Sequence, residues 1–135
     1  MHIHYISEQN SILNHFLAQI RDVNIQKDSM RFRKNIERIG EIMAYELSKT
    51  LDYKEIDVQT PLGIKHTTTI AEPVVLCSIL RAGLALHQGF MSFFDNAENG
   101  FVSAYRHHYD NDDKFEILVE YQAAPSFEGK NLILI

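Results

Sequence analysis

The 135-residue sequence lacks several features that mark other classes of protein. It contains one cysteine, Cys77, so no disulfide can form within the chain, and this thiol lies in an apolar run where we expect it to be buried. The formal net charge is −5, which provides no positive surface of the kind that binds nucleic acid. Such a chain instead suits a small partner whose anionic groups meet a local basic pocket.

The sequence also lacks segments that direct proteins to membranes or out of the cell. Residues 1–10 contain no basic stretch followed by a long apolar one, so no signal peptide is expected. No apolar run approaches the length of a membrane-spanning helix. We therefore expect a soluble cytoplasmic protein.

Metal-ligand spacings are absent too, although the chain has seven histidines. His2 and His4 point the same way on an extended chain, and His107 and His108 lie beside aspartates. Neither pair belongs to a helical His-Glu-x-x-His pattern or to a cysteine–histidine spacing. A hydrophilic loop accounts better for residues 107–113, and we expect no metal site built from protein side chains.

Two amphipathic helices are predicted within the first fifty residues. The first is capped by Ser7 or Asn10, and the second runs from Asp28 or Ser29 to about Lys49. Charged residues lie opposite the apolar side of the second helix, as on a solvated face. Neither helix would be stable alone, so both must dock on a core. The apolar positions are Ile12, Leu13, Phe16, Leu17 and Ile20 in the first helix and Phe32, Ile36, Ile39, Met43 and Leu47 in the second.

A hairpin is predicted after these helices. Ile56 and Val58 alternate with polar residues, and residues 61–63 (Pro-Leu-Gly) make a turn. The returning strand alternates at positions 64, 66, 68 and 70 (Ile, His, Thr, Ile). We expect this pair of strands to project from the core as an arm that packs on another subunit.

Residues 74–94 have the pattern of a strand, a turn and a helix. Residues 74–80 are nearly all apolar, which is typical of a strand buried on both faces. A short Arg-Ala-Gly turn leads into an amphipathic helix over residues 84–94, completing the first half of a βαβ unit. The aromatic residues expected in the core are Phe90, Phe93 and Phe94.

Three further strands are predicted. Residues 101–106 and 115–121 are joined by a loop too short for a parallel crossover, so they should pair as an antiparallel hairpin. Residues 131–135 predict a final strand, and it is apolar throughout from Leu132 onward, which predicts a central position. Ligands of α/β sheets bind beyond the carboxyl ends of such strands. We therefore expect one domain over residues 1–135 that is truncated on its C-terminal side.

Three segments resemble uracil phosphoribosyltransferases. Residues 79–84 (ILRAGL) follow the buried strand and resemble the pyrophosphate loop of that family. Residues 31–33 (RFR), with the helix that ends near Glu46, resemble its N-terminal helix. Residues 104–106 (AYR) resemble the strand end before its flexible loop. The three segments occur in the order of the family and cover most of the chain.

The resemblance implies an α/β, type I phosphoribosyltransferase fold with a mostly parallel sheet, flanking helices, two N-terminal helices and a β-hairpin arm used in dimerisation. It implies that the complete protein joins uracil to 5-phosphoribosyl 1-diphosphate (PRPP) in pyrimidine salvage, giving UMP and pyrophosphate. Mg²⁺ would accompany the diphosphate, GTP would be a possible activator, and the protein would be a homodimer or higher homo-oligomer.

The resemblance also assigns residues to the site. Arg81 would hold the diphosphate of PRPP, and the small residues Ala82 and Gly83 would let backbone N–H groups approach it. Arg106 would be the second diphosphate ligand, at the root of a mobile loop whose closure brings it in. Both arginines would act in catalysis by stabilising charge on the leaving group.

A second cationic group lies on the N-terminal helix. Arg31, Arg33 and Lys34 are candidates for binding a nucleotide effector, although a charged helix face explains them equally well. Members of the family continue after the strand matched by residues 132–135 with an Asp-Pro-Met-Leu-Ala-Thr-Gly-Gly-Ser type loop and a later uracil-binding segment. Neither occurs in this sequence, so we expect the 135-residue chain alone to be inactive.

Two alternatives to an enzyme follow from the same features. The first is a non-catalytic, phosphoribosyltransferase-like protein that binds nucleotides or a partner subunit, which the missing loop favours. The second is a dimerisation module built on the arm and the N-terminal helices.

Overall fold

A computed structural model of the chain describes residues 2–108 and 115–135, in which helices precede and interrupt a series of strands. Among these residues, no helix has both the length and the apolar character needed to cross a membrane. The elements in chain order are α1 (Ile12–Arg21), a 3-10 turn (Ile25–Lys27), α2 (Ser29–Ser48), β1 (Tyr53–Thr60), β2 (Gly63–Ile70), β3 (Val74–Leu80), α3 (Leu84–Met91), β4 (Glu98–His108), β5 (Phe115–Ala123) and β6 (Asn131–Leu134).

Four of the strands form one sheet in the order β5-β4-β3-β6. Strand β3 pairs in parallel with β4 and β6, and β4 pairs antiparallel with β5. Strands β1 and β2 pair only with each other and make the predicted hairpin arm. This mostly parallel sheet with flanking helices confirms the α/β fold that the sequence predicts.

The outer part of β4 leaves the parallel sheet opposite a β-bulge in β5. Leu80 pairs with Ser103 at the end of the β3–β4 ladder. Ser103 pairs with Tyr121 and Ala104 pairs with Val119, so the extra residue of the bulge is Glu120 of β5. A bulge turns the strand that carries it and increases the local twist. Among the described residues, β4 pairs with both neighbours up to Ser103 and with β5 alone from Ala104 onward.

Both N-terminal helices begin at a side-chain cap. The Ser11 hydroxyl accepts a hydrogen bond from the Leu13 N–H at 3.3 Å, and the Asp28 carboxylate accepts one from the Arg31 N–H at 3.0 Å. The predicted bounds of α2 are confirmed, but the predicted cap of α1 at Ser7 or Asn10 is wrong. The extended backbone that a cap requires occurs at Ser11, where φ is −154°.

Helices α2 and α3 contact each other through backbone atoms. A Cβ on Gly89 would lie 2.1 Å from the Glu37 carbonyl oxygen, and a Cβ on Gly40 would lie 2.5 Å from the Leu86 carbonyl oxygen. Both distances are shorter than a Cβ tolerates, so the crossing requires glycine on each helix. The apolar pattern did not identify either glycine. It also placed Phe32 on the inner face of α2, but this side chain is 37% exposed.

The core lies between the sheet and the α2–α3 pair. Cys77 is buried, as predicted, and so are Phe90 and Phe94. The prediction for Phe93 is wrong, because this side chain is 52% exposed. Helix α3 ends at Met91 rather than at residue 94, and the chain then turns so that only the second of the two phenylalanines points inward. The central cluster comprises Ala44, Val74, Leu76, Phe90, Phe94 and Ile133.

Strand β6 lies at an edge of the sheet formed by the described residues, where the sequence predicted a central position. It pairs with β3, and its Ile133 side chain is buried. Leu132 and Leu134 point to the other face and are 47% and 65% exposed. The apolar run identified a strand correctly, but its place in the sheet depends on what pairs with it.

Candidate functional site

The carboxyl ends of the three parallel strands meet at one edge of the sheet. The Arg81 loop leaves β3 there, Ser103 to Tyr105 continue β4, and Ile135 follows β6. The Ile79 N–H donates a hydrogen bond to the Ile135 carbonyl at 2.8 Å, which ties the end of β3 to the end of β6. Ligands of parallel α/β sheets bind at this edge.

A cleft of about 580 Å³ opens between the Arg81 loop and β4. Because Leu80 pairs with Ser103, the two walls of the cleft belong to neighbouring strands in register. Arg81 and Ala82 are exposed and contribute a guanidinium and a small side chain to one wall. The lining residues are Leu80, Arg81, Ala82, Ser103, Ala104 and Tyr105.

The loop between β3 and α3 is short and internally bonded. The peptide between Leu80 and Arg81 is cis. The Gly83 N–H donates to the Ile79 carbonyl at 3.1 Å, and the Leu84 N–H donates to the Arg81 carbonyl at 3.3 Å. Helix α3 then begins at Leu84. The backbone therefore reverses within three residues and presents Arg81 at the cleft.

Gly83 serves close packing within this loop. A Cβ at this position would lie 3.0 Å from the Ile79 carbonyl oxygen and 3.1 Å from the Ile135 carbonyl oxygen. Its φ is −67°, an angle open to any residue, so the requirement is for space rather than for an unusual backbone. Gly83 is not among the lining residues of the cleft, and its contact with a diphosphate stays a prediction.

Arg106 lies beside the cleft on the outer half of β4. It follows Tyr105, which lines the cleft, and it pairs across the hairpin with Ile117 of β5. It is exposed and is not itself among the lining residues. The prediction of a loop over residues 107–113 is wrong for residues 107 and 108, which belong to β4, and residues 109–113 lie outside the described residues. The role of Arg106 as a second diphosphate ligand stays a prediction.

Two polar residues of the cleft were not assigned a role from the sequence. Ser103 and Tyr105 both line the wall that β4 provides. The Tyr105 hydroxyl donates to the Glu120 carboxylate at 2.9 Å, and this hydrogen bond raises the pKa of Tyr105 above its usual value. The phenol therefore stays a neutral donor. Alternation along a strand would mark Ser103 and Tyr105 as sharing a face, but only pairing with β3 reveals that they meet Arg81.

The candidate effector residues lie elsewhere, on the first turns of α2. Arg31, Arg33 and Lys34 are exposed, and none lines the cleft. The Arg31 guanidinium lies 3.6 Å from the Asp28 carboxylate, and the Lys34 ammonium lies 2.6 Å from the Glu37 carboxylate. The structure thus groups these cations on one helix and apart from Arg81. Their binding of an effector stays a prediction.

The fold is that of the type I phosphoribosyltransferases: a mostly parallel sheet whose buried strand leads, through an Arg-Ala-Gly loop, into a helix beside a cleft. The sequence pattern described as "Uracil phosphoribosyltransferase" matches residues 6–126. The chain therefore belongs to the uracil phosphoribosyltransferase family.

Individual relatives agree with this assignment. A uracil phosphoribosyltransferase of Porphyromonas gingivalis is 47% identical over 134 residues, covering 99% of this chain and 62% of that protein. One from Thermococcus gammatolerans is 34% identical over 133 residues, covering 97% and 57%. The structure of AQ2163 protein from Aquifex aeolicus has a TM-score of 0.77 at 27% identity, covering 94% of this chain and 59% of that one. The chain thus spans less than two thirds of the length of each.

Proposed function

We propose that the protein containing this chain transfers the phosphoribosyl group of PRPP to uracil, giving UMP and pyrophosphate. Membership of the uracil phosphoribosyltransferase family supports this function. The observation that carries it is the cleft at the carboxyl edge of the sheet, where Arg81 faces the end of β4. A guanidinium there can make a bidentate contact with a phosphate group, in which two N–H groups each donate a hydrogen bond.

In this reaction the bond between ribose C1 and the diphosphate oxygen breaks, and its electron pair leaves with the diphosphate. Uracil N1 forms the new bond to C1 and loses its proton. Negative charge therefore grows on the leaving group, and a cation already fixed at that position stabilises the transition state. Arg81 takes this role in the proposal, and Arg106 joins it from the outer half of β4.

The backbone of the Arg81 loop is the second part of the diphosphate site in the proposal. The side chain of Ala82 is small and exposed at the cleft, so phosphate oxygens can approach the main chain there. Gly83 contributes by allowing the tight turn that holds this backbone against the end of β6. Its own N–H already donates to Ile79.

Mg²⁺ enters the proposal as part of the substrate, bound to PRPP. The described residues that line the cleft include no carboxylate. In the proposal, the phosphate oxygens of PRPP are therefore the main ligands of the ion. The ion neutralises part of the diphosphate charge when it is bound. Arg81 and the loop backbone hold the remaining charge and orient the leaving group.

The proposal extends to regulation, assembly and location. GTP activation through Arg31, Arg33 and Lys34 is supported by the exposure of all three cations on the first turns of α2. A homodimer or higher homo-oligomer built through the β1–β2 arm is supported by exposed apolar residues there, including Ile64 and Leu62. We place the pyrimidine-salvage reaction in the cytoplasm.

The test of function is UMP formation from labelled uracil and PRPP. We expect Arg81→Ala to lower kcat/KM by about 100-fold or more, because it removes a preorganised donor to the leaving group. Arg21→Ala is the matched control, since Arg21 is an exposed arginine at the end of α1 and outside the cleft. Equal activity of the parent and Arg81→Ala would remove Arg81 from the mechanism.

The assay requires two forms of the protein because the chain spans 62% of the Porphyromonas gingivalis relative. One form is this chain, and the other is a chimera in which residues 1–135 replace the matching segment of that relative. UMP formation by the chimera, sensitive to Arg81→Ala, is the expected result. A folded chimera that binds nucleotide saturably and releases no pyrophosphate would favour the non-catalytic binding module instead.

A further inference from the structure

A chain of hydrogen bonds connects β3, α3 and β4, running from the buried Ser78 and His87 to the exposed Asn99. The Ser78 hydroxyl lies 2.6 Å from Nδ1 of His87, and Nε2 of His87 lies 2.8 Å from the Asn99 side-chain oxygen. Ser78 is completely buried and His87 is 4% exposed. We refer to these three residues as the Ser-His-Asn network.

The network has a defined direction. The Asn99 side-chain N–H donates to the Ala97 carbonyl at 3.3 Å, so its oxygen faces His87. That oxygen can only accept, and Nε2 of His87 must therefore carry the hydrogen. In the neutral imidazole Nδ1 is then an acceptor, and the Ser78 hydroxyl donates to it. Every bond has one donor and one acceptor, so a single neutral tautomer satisfies the whole network.

The network joins the two flanks of the Arg81 loop to each other. Ser78 lies three residues before Arg81, and His87 lies in the first turns of α3. The backbone N–H of His87 also donates to the Gly83 carbonyl at 2.8 Å. The 2.6 Å contact between the two side chains therefore closes the segment that contains the loop. Asn99 extends the link to the amino end of β4, four residues before Ser103, where the same strand begins to line the cleft.

None of the three side chains lines the cleft. His87 is also held from the side by Phe101, whose ring centroid is 5.2 Å away. An apolar side chain of similar volume could fill such a site without the requirement that every buried polar atom be paired. Buried polar groups are known in some proteins to fix one arrangement of the elements that they connect. Here those elements are β3 and α3, which flank the Arg81 loop, and β4, whose carboxyl end forms the opposite wall of the cleft.

We propose that the Ser-His-Asn network positions the Arg81 loop against β4 for binding the diphosphate of PRPP, with His87 as the positioning residue. This inference rests on the proposed function for its kinetic effect and on the geometry of the loop for its structural effect. Displacing a binding group by about 1 Å is enough to lower the rate by about 100-fold in well-ordered sites.

The first test compares His87→Met with the double variant Ser78→Ala/His87→Met. We expect both to raise the KM for PRPP by about tenfold or more, with the KM for uracil unchanged. The double variant removes both buried polar groups, so its unfolding temperature should return towards that of the parent. Recovery of the KM for PRPP together with the unfolding temperature would overturn the proposal, because the network would then matter only for stability.

Phe90→Leu is the control for general destabilisation. Phe90 is buried in the same helix but belongs to the central core cluster and makes no bond in the network. At a matched loss of unfolding temperature, we expect this variant to leave the KM for PRPP unchanged. An equal rise in that KM would overturn the positioning role of His87.

A measurement independent of catalysis separates this inference from the proposed function. Amide hydrogen exchange over residues 79–86 should accelerate in His87→Met and not in Phe90→Leu. If the parent makes no UMP, the proposed function fails, yet the exchange result still decides the inference. Equal exchange in the two variants would contradict a link between the network and the loop.

Discussion

The β1–β2 arm and the β3–α3–β4 unit have equally regular backbones but very different surroundings. The arm has an unbroken antiparallel ladder from the pair Tyr53 and Ile70 to the pair Thr60 and Gly63, yet most of its residues are exposed and Leu62 is fully so. In the unit, every residue from 74 to 78 is buried. Hydrogen bonding alone therefore does not distinguish a projecting element from a core element.

The difference shows which kind of sequence signal specifies the structure of each region. The arm is specified locally, by alternation and by a turn in which Gly63 adopts a φ of 135° and Thr60 donates to the Gly63 carbonyl at 2.7 Å. The unit is specified by contacts between distant residues, such as those of Gly40 and Gly89 across two helices. Substitutions should accordingly be tolerated in the arm and resisted in the unit.

The largest expected effect compares two adjacent phenylalanines. Phe94→Ala should lower the free energy of unfolding by about 3–5 kcal/mol, because it empties a buried position in the core. Phe93→Ala should change it by less than about 1 kcal/mol, since that side chain is half exposed against Tyr45. Urea unfolding measures both. Similar losses in the two variants would mean that the end of α3 packs differently.

The next comparison makes the same change in each region. Gly89→Ala should cost about 3 kcal/mol or more, because its Cβ would meet the backbone of α2. Gly63→Ala should cost about 1–2 kcal/mol, since its Cβ meets no atom within 4 Å and only the positive φ is strained. Thermal unfolding with matched circular dichroism distinguishes them. A greater loss in Gly63→Ala would reverse the contrast between arm and unit.

Shortening the arm tests its independence from the core. Residues 56–67 can be replaced by Asn-Gly, because Glu55 and Thr68 are paired partners that a two-residue turn can join. We expect the circular dichroism signal of the helices to persist while the mass measured by light scattering falls to that of one protomer. An unchanged oligomeric mass would rule out the arm as the interface, and loss of the helical signal would make it part of the core.

The smallest expected effect concerns the cap of α2, outside both regions. Hydrogen bonding to the Arg31 N–H lowers the pKa of Asp28 below its ordinary value of 3.8. A lowered pKa in the folded state means that the stabilising contact is present above the ordinary value and lost as pH falls through the lowered one. Asp28→Ala should therefore lower the unfolding temperature by a few degrees near pH 7 and less under acid.

Asp28→Asn is the control for this cap, because asparagine keeps an acceptor for the Arg31 N–H without the charge. Its unfolding temperature near pH 7 should lie between those of the parent and Asp28→Ala, and the difference from the parent should shrink under acid. If the effect of Asp28→Ala were the same at every pH, the charge of Asp28 would not contribute to capping.

Much of the fold was predictable because its signals are local. The bounds of α2, the arm with its turn and the buried strand β3 all follow from patterns within a few residues. Phe93 was placed wrongly because the end of a helix turns the chain, and the central position of β6 stays a prediction because an apolar strand becomes central only if partners flank both sides. Neither condition is visible in a hydrophobic pattern.

The candidate site was predictable in part. Arg81 and Ala82 were identified by their resemblance to a known loop, and both lie at the cleft. Ser103 and His87 were not identified, because their significance depends on the pairing of β3 with β4 and on the packing of α3. A lone serine in a strand and a lone histidine in a helix carry no local signal of the partner that they meet.

Strand β4 loses its β3 neighbour after Ser103, opposite the bulge in β5, so its outer half is a short lever among the described residues. Ser103 is clamped between two neighbours, whereas Arg106 lies three residues further on, about 10 Å along a strand that has a neighbour on one side. Tilting the outer half by about 20° would move Arg106 by about 3 Å. A shift of that size is enough to replace a direct hydrogen bond with a contact bridged by water. Arg81 has no such freedom, because its loop is clamped at both ends. The wall of the cleft that carries Arg81 is therefore fixed at both ends, whereas the wall that leads to Arg106 is supported on one side among the described residues.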